Sequence, residues 1–310
     1  MRAVRSTPAG ITVADVSGPR PEDGARIAVA ASGICSSDLP GAAWERSVTL
    51  GHEFSGWTED GSPVAVLPNV PCGGCDQCLR GRPQLCRNLH PTICGFFRDG
   101  GMADAVAVDP SCLSPLPEDV DVRDACLVEP LAVALHTINR AATTSDTRLL
   151  VIGGGAIGLA CVAVARALGH EVDVSARYPF QQRAGESLGA GTIVLPEYEV
   201  VIEAAGSQSA LDAATQHACP GGTVALAAMY GAGATIGVAM AMKEVSLVPA
   251  FTYGHHESRR EFDDAVAVLA AEPEIARVMI THRFPLADAA EAFAVAADRS
   301  SGAIKVVLEP

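Results

Sequence analysis

No segment restricts the possible folds of this chain more than an apolar strand that runs straight into a glycine turn and a helix. Leu149-Leu150-Val151-Ile152 is followed at once by Gly153-Gly154-Gly155-Ala156-Ile157-Gly158 and an Ala-rich helical stretch. Around this turn the chain alternates strictly. Residues 148–152, 171–176, 192–195, 199–204 and 222–229 read as strands, and 157–168, 181–188 and 208–218 as helices. Strands alternating with helices of this length predict an α/β unit with a doubly wound parallel sheet covered on both faces. Within the turn, Gly153 allows the sharp bend, Gly155 lets backbone approach a pyrophosphate, and Gly158 lets helix and strand pack closely. Ala156 and Ile157 open a helix whose free N–H groups face the phosphates. An ordinary glycine-rich turn is the plainer alternative, and the flanking strand and helix argue against it.

The end of the next strand selects the nucleotide. An acid there binds the ribose 2′-hydroxyl, whereas an arginine accommodates a 2′-phosphate. Here the strand closes on Ser175-Ala176 and is followed by Arg177-Tyr178, while Asp173 lies mid-strand, short of the ribose. This pattern favours NADP(H) over NAD(H); the alternative is a solvated arginine at a strand end.

Outside residues 139–256 the pattern differs. Residues 27–30, 63–66 and 103–108 read as short strands separated by Gly and Pro. Residues 124–139 read as a helix in which Pro130 is tolerable only near the start. Toward the end, 259–271 and 286–297 read as helices and 303–308 as a strand.

The chain has 310 residues, 49% hydrophobic and 19% charged, enough for about two domains. Its 22 Lys and Arg against 36 Asp and Glu leave a net charge of −14, which argues against nucleic-acid or anionic-membrane partners. No apolar run approaches the length that spans a bilayer, and Met1-Arg2-Ala3-Val4-Arg5 lacks the apolar core of a secretory signal. A cytoplasmic enzyme is the expected class. In a reducing compartment its ten cysteines are metal ligands sooner than disulfides.

Four of them, Cys72, Cys75, Cys78 and Cys86, lie in one glycine-rich loop with spacing x2, x2 and x7. Thiolates this close in sequence can close a tetrahedral Zn–S4 site, which would be structural because it has no open position. A redox or iron–sulfur role is the rival. A looser set consists of Cys35 in Gly33-Ile34-Cys35-Ser36-Ser37-Asp38, His52 and Glu53 in Gly51-His52-Glu53-Phe54-Ser55-Gly56, and Glu129 in Glu129-Pro130-Leu131. Thiolate, imidazole and carboxylate are the mixed ligands of a catalytic zinc that keeps one position for water or substrate.

With these motifs the chain resembles the zinc-dependent medium-chain dehydrogenase/reductases, in particular the polyol, threonine and aminocyclitol dehydrogenase branch. The likeness covers essentially the whole chain, through GICSSD, GHEFSG, the quartet, EPLAVALH, VIGGGAIG and the closing GAIKVVLEP. It implies a GroES-like β-rich catalytic domain, residues 1–138 and 257–310, into which a Rossmann domain, 139–256, is inserted. It assigns Cys35 and His52 as catalytic zinc ligands and Glu53 as a ligand or near-ligand. Glu129 would be the remaining carboxylate, bound directly or through water. Ser37 matches the proton-relay hydroxyl, and Asp38 a carboxylate that orients the histidine. Two zinc ions per chain and a small-molecule substrate follow, a secondary alcohol, polyol or sugar-like ketone. The loops at Ala205-Gly206 and Met229-Tyr230 should border the nicotinamide.

Two departures stand out: Pro40 replaces the histidine that extends the relay in many relatives, and the loops around the substrate cleft are short. Trp44, Pro68, Phe96 and Phe97 are candidate cleft residues, with ordinary packing as the alternative. Cys94, Cys112, Cys126, Cys161 and Cys219 read as buried apolar residues. The family implies a homodimer or homotetramer, and the apolar stretch 234–248 suits such pairing unless it is a strand within one subunit. The competing readings are an NAD-dependent polyol or amino-alcohol dehydrogenase, a zinc-free reductase of the same fold, which Cys35, His52 and Glu129 oppose, and a non-catalytic nucleotide-binding protein. A zinc ribbon on nucleic acid fails on charge.

Overall fold

The computed structural model describes residues 1–39, 47–144, 146–231, 233–256 and 258–310. Pro40 and Trp44 lie outside the described residues. The chain forms two compact units, Met1–Glu129 with Glu257–Pro310, and Pro130–His256. The division falls between Glu129 and Pro130, at the first turn of the helix Val128–Arg140, where the sequence reading placed it after residue 138.

Five parallel strands form the sheet of the second unit, in the spatial order Ser246–Pro249, Ala218–Leu226, Tyr198–Glu203, Leu149–Ile152, Val172–Ser175. Leu149, Leu150 and Val151 are wholly buried, as a central strand covered on both faces requires. The helices Ala156–Ala167, Pro179–Ser187 and Gln208–His217 alternate with the strands. Chain order reverses between Leu149–Ile152 and Tyr198–Glu203. That reversal is the switch point at which doubly wound sheets bind ligands, beyond the carboxyl ends of their strands.

Residues 192–195 form no strand; Gly191 makes only an isolated bridge to Asp173. A crossover between parallel strands takes a dozen or more residues, and only two residues separate Leu195 from Tyr198. The segment is held by side chains instead. The Leu195 N–H donates to Tyr198 Oη (2.7 Å), and the His217 ring contacts Leu195 O and Pro196 O at 3.1 and 3.2 Å. The apolar stretch 234–248 divides into the helix Val238–Met242 and the edge strand Ser246–Pro249, paired within the chain.

The first unit is built on a seven-stranded sheet. Its main path runs Ile280–Pro285, Lys305–Glu309, Ala25–Gly33, Glu53–Trp57, Pro63–Val66, Leu113–Pro115, with Ala105–Val108 also paired to Ala25–Gly33. A separate hairpin joins Arg2–Thr7 and Gly10–Asp15. One apolar cluster includes Ile27, Val29, Phe54, Val64 and Val106. Another gathers Leu50, Met102, Phe293, Val306 and Leu308, so the closing strand shares a core with the N-terminal segment. Arg260 fastens the returning chain, donating to Ser111 O (2.8 Å), while Asp263 accepts from Ser114 Oγ (2.7 Å). A GroES-like β-rich unit interrupted by a Rossmann sheet is the architecture the sequence predicts. No helix among the described residues is long and apolar enough to cross a membrane.

Candidate active site

The strand Ala25–Gly33 ends just before Cys35, and a short 3-10 turn, Ser36–Asp38, follows. Asp38 closes this turn by accepting from the Cys35 N–H (3.1 Å), which sets the direction of the thiol. Gly33 pairs with Glu53 across the antiparallel ladder, so the register delivers His52 and Glu53 beside the Cys35 turn. Gly33 must lack a side chain there, because a Cβ would strike Glu53 Oε2. Gly51, at φ +98°, has the same constraint: a Cβ would lie 2.7 Å from both Met102 Cγ and Ser32 Oγ.

Ligand atoms of Cys35, His52 and Glu53 all lie within 4.8 Å of one another. Ser37 Oγ is 3.4 Å from His52 Nε2, and Asp38 Oδ1 is 3.5 Å from His52 Nδ1. Phe96 packs its ring 5.0 Å from the imidazole. Burial pushes the His52 pKa down, but the Asp38 carboxylate and the Cys35 sulfur outweigh it and hold it well above 6.5. Glu129, buried at the start of its helix, lies outside this group of three. Pro68 is buried, whereas Phe97 is exposed and packs on His90, 6.1 Å between ring centroids.

Sequence reasoning assigned no role to Lys305. Its Nζ lies 2.5 Å from Glu53 Oε2 and donates to Ile34 O (3.2 Å), with both charged side chains essentially inaccessible to solvent. Burial alone would lower the Lys305 pKa; Glu53, Cys35 and Glu129 reverse that and raise it above its ordinary value. The signal was present as a lysine in the apolar run Ala303-Ile304-Lys305-Val306-Val307, since a buried ammonium needs a partner. With Oε2 taken, Glu53 Oε1 is left buried without a hydrogen-bond partner. A half-buried thiol beside a buried imidazole and an orphaned carboxylate oxygen fits a divalent metal ion.

The sulfurs of Cys72, Cys75, Cys78 and Cys86 are also mutually within 4.8 Å, and none is in a disulfide. Cys75 Sγ lies 3.5 Å from Cys78 Sγ and 3.9 Å from Cys86 Sγ. Zn–S bonds of ~2.3 Å in a tetrahedron put sulfurs about 3.8 Å apart, so this set fits zinc as it stands. The Cys78 and Arg87 amides lower the Cys75 thiol to about 6, and Arg87 pairs with Asp76 (2.9 Å) to brace the loop. Burial raises Cys94 to about 11 and Cys112, Cys126 and Cys161 to about 12, which keeps these as neutral thiols. Cys219 is only half-buried, on a strand that bulges at Pro220–Gly222.

In the second unit Gly153 adopts φ +112°, and a Cβ there would lie 3.0 Å from Ala204 C and Ala205 N. A Cβ on Gly158 would strike Gly153 O, whereas Gly155 faces open space. The helix Ala156–Ala167 has no side-chain cap on its first amides, so those donors and the open cradle fit a pyrophosphate. Ser175 and Arg177 are exposed at the end of Val172–Ser175. The Arg177 guanidinium lies 5.7 Å over the Tyr178 ring. Asp173 is buried and committed to Arg148 (Oδ2 to Nε 2.9 Å) and to Tyr198 Oη (2.8 Å).

A unit of GroES-like type carrying a Cys/His/Glu group and a four-cysteine loop, interrupted by a nucleotide-type sheet, defines a zinc-dependent medium-chain dehydrogenase/reductase, and the chain belongs to that family. The alcohol dehydrogenase GroES-like domain family matches residues 21–118. Sorbitol dehydrogenase of Macaca fascicularis is 30% identical over 309 residues, 84% of this chain and 82% of the relative. Galactitol 1-phosphate 5-dehydrogenase of Escherichia coli (strain K12) is 34% identical over 172 residues, half of this chain and 49% of that protein's length. Among solved structures, one named a zinc-binding dehydrogenase from Sinorhizobium meliloti 1021, bound to NADP, superposes with a TM-score of 0.87. It is 30% identical, with 100% of this chain and 99% of that chain covered.

Proposed function

We propose that this chain is an oxidoreductase that interconverts a secondary alcohol of polyol or sugar type with its ketone, using two zinc ions and NADP(H). The observation that carries the reading is the grouping of half-buried Cys35 with buried His52 and Glu53, in which Glu53 Oε1 is left without a hydrogen-bond partner. Cys35, His52 and Glu53 would hold the catalytic zinc, and Glu129, outside that group, would reach it through water. Cys72, Cys75, Cys78 and Cys86 would hold the structural ion. A bound zinc supplies a Lewis acid for the substrate oxygen, and the nicotinamide carries the hydride. Asp38 fixes the turn and faces His52 Nδ1, which holds the imidazole in one orientation. Ser37, whose Oγ is 3.4 Å from His52 Nε2, would take the alcohol proton. Phe96 shields the imidazole from water on one side.

For the dinucleotide, Gly153, Gly155, Ala156, Ile157 and Gly158 would cradle the pyrophosphate. Ser175, Arg177 and Tyr178 would surround the adenosine ribose, with Ala205, Gly206 and Met229 beside the nicotinamide. The NADP(H) preference is supported by the exposed Arg177 and by the engagement of Asp173 with Arg148 and Tyr198, which leaves no acid at the strand end for ribose hydroxyls. Arg177→Ala should lower kcat/KM with NADP(H) by about 10–100-fold while changing NAD(H) turnover little, the loss expected for one charge-assisted phosphate contact. Steady-state kinetics with both nucleotides over a panel of secondary alcohols, polyols and ketones tests this; wild-type turnover that is equal or better with NAD(H) would refute the preference.

A second copy of the chain is the proposed partner. The strand Ser246–Pro249 is an edge of the sheet. Ile236, Val238 and Met242, 62%, 75% and 81% exposed, lie in the segment leading into it. An open edge beside apolar side chains is completed by a like edge across a two-fold axis. The double variant Val238→Asp, Met242→Asp is expected to shift the wild-type oligomer to the 31.9 kDa monomer in light scattering; a wild type that is already monomeric contradicts the pairing.

A further inference from the structure

Glu203 ends the strand Tyr198–Glu203, is fully buried, and has no part in the chemistry assigned so far. Its two carboxylate oxygens serve different loops. Oε1 accepts from the N–H groups of Ala205 (2.7 Å) and Gly206 (2.8 Å), and Oε2 accepts from Tyr230 Oη (2.5 Å). The Glu203 carbonyl also receives the Ala227 N–H (2.9 Å). One residue therefore joins the turn after its own strand to the loop after the neighbouring strand, Ala218–Leu226.

The turn it holds is confined on both flanks. On one side Gly153 of the glycine turn lies so close that a Cβ would come within 3.0 Å of Ala204 and Ala205. On the other, a Cβ on Gly206 would come within 3.3 Å of Ala228 and 3.4 Å of Met229 O. Gly206 itself adopts φ +68°. Such a turn does not keep its place through side-chain packing of its own; the Glu203 carboxylate supplies the donors' partners. All of this lies at the carboxyl ends of Tyr198–Glu203, which flanks the switch point, and of its neighbour Ala218–Leu226. The adenosine end, at Ser175–Arg177, is on the far side of Leu149–Ile152.

We infer that Glu203 is a positioning residue that, with Tyr230, shapes the shelf on which the nicotinamide half of the dinucleotide rests. The inference depends on the dinucleotide reading given above. A carboxylate does this better than a neutral side chain, because it accepts from three donors at once without having to donate. Burial, and then Glu203 itself, raises the Tyr230 pKa above its ordinary value, so the phenol stays a donor. Hydrogen bonds to a buried charged group are the costly ones to lose.

The test is binding of NADPH and of 2′,5′-ADP, which carries only the adenosine half, to zinc-loaded wild type, Glu203→Ala, Glu203→Gln and Tyr230→Phe. Glu203→Ala should weaken NADPH about tenfold or more and leave 2′,5′-ADP within about twofold. Glu203→Gln keeps a carbonyl for the two amides and should recover most of that loss. Tyr230→Phe, which removes one donor and leaves the fold alone, should weaken NADPH by about threefold and 2′,5′-ADP not at all. Parallel loss of both ligands, or unchanged NADPH binding in both Glu203→Ala and Tyr230→Phe, would overturn the inference. Should Glu203→Ala not fold, the Tyr230→Phe ratio decides. If wild type binds neither ligand, the dinucleotide reading itself falls, and the inference with it.

Discussion

Cys35→Ala is expected to lower kcat/KM by about 10³-fold or more and to reduce the zinc content from two ions per chain to one. A Lewis acid at the substrate oxygen contributes several kcal/mol to the barrier, and each ~1.4 kcal/mol is a factor of ten in rate. The thiol is one of three side chains within 4.8 Å, and the remaining imidazole and carboxylate are too few to retain a tetrahedral ion tightly. The quartet at Cys72–Cys86 lies in a different loop, so its ion should stay. Cys35 is only half-buried, so the variant should melt close to wild type stripped of its catalytic zinc, any fall from the loaded protein being the lost ion's contribution. Metal analysis together with kinetics checks both halves. Two ions retained, or turnover within tenfold of wild type, would remove Cys35 from the catalytic site.

The second large effect concerns Lys305. Replacing it by methionine leaves Glu53 as a buried carboxylate with neither oxygen paired inside the protein. Breaking one partner out of a buried ion pair costs about 3–5 kcal/mol. For a domain of roughly 150–250 residues that is a fall of about 6–20 °C in melting temperature. The sign of the metal dependence follows from charge. A bound divalent cation compensates Glu53, so the deficit should be larger in zinc-stripped protein than in zinc-loaded protein. Adding Glu53→Gln to Lys305→Met removes the uncompensated charge and should recover much of the loss, a coupling that a double-mutant cycle measures. A Lys305→Met protein that melts within 2 °C of wild type with and without zinc would show the pair to be dispensable (about 1 kcal/mol or less).

The parts of this protein legible in its sequence are those whose geometry is local. The strand, glycine turn and helix at 149–167 are one contiguous run, and Gly153 and Gly158 answer to constraints within a few residues or from the adjoining strand. The quartet is similar: four thiols within fifteen residues are brought together by tight turns, whatever the rest of the chain does. The switch from scattered short strands to strict alternation likewise marked the inserted unit, because alternation is the imprint of a parallel sheet. Residues 192–195 misled because their apolar pattern suits a strand, while the connection to Tyr198 is too short for a crossover; sheet membership depends on connection length as well as on pattern.

What lay beyond the sequence was pairing at a distance. Cys35 and His52 come together through the register of Gly33 against Glu53. Glu53 meets Lys305 across 252 residues because the last strand returns to the first unit's sheet. That return decides which Glu53 oxygen is free for a metal. The link from Glu203 to Tyr230, 27 residues on, depends in the same way on neighbouring parallel strands ending at one level. By itself the sequence determined the kinds of site, since a thiol, an imidazole or a glycine has the same chemistry in any context. Only the tertiary structure decided which buried charges face each other, because a buried charge is tolerated or lost according to neighbours that the fold, not the chain order, supplies.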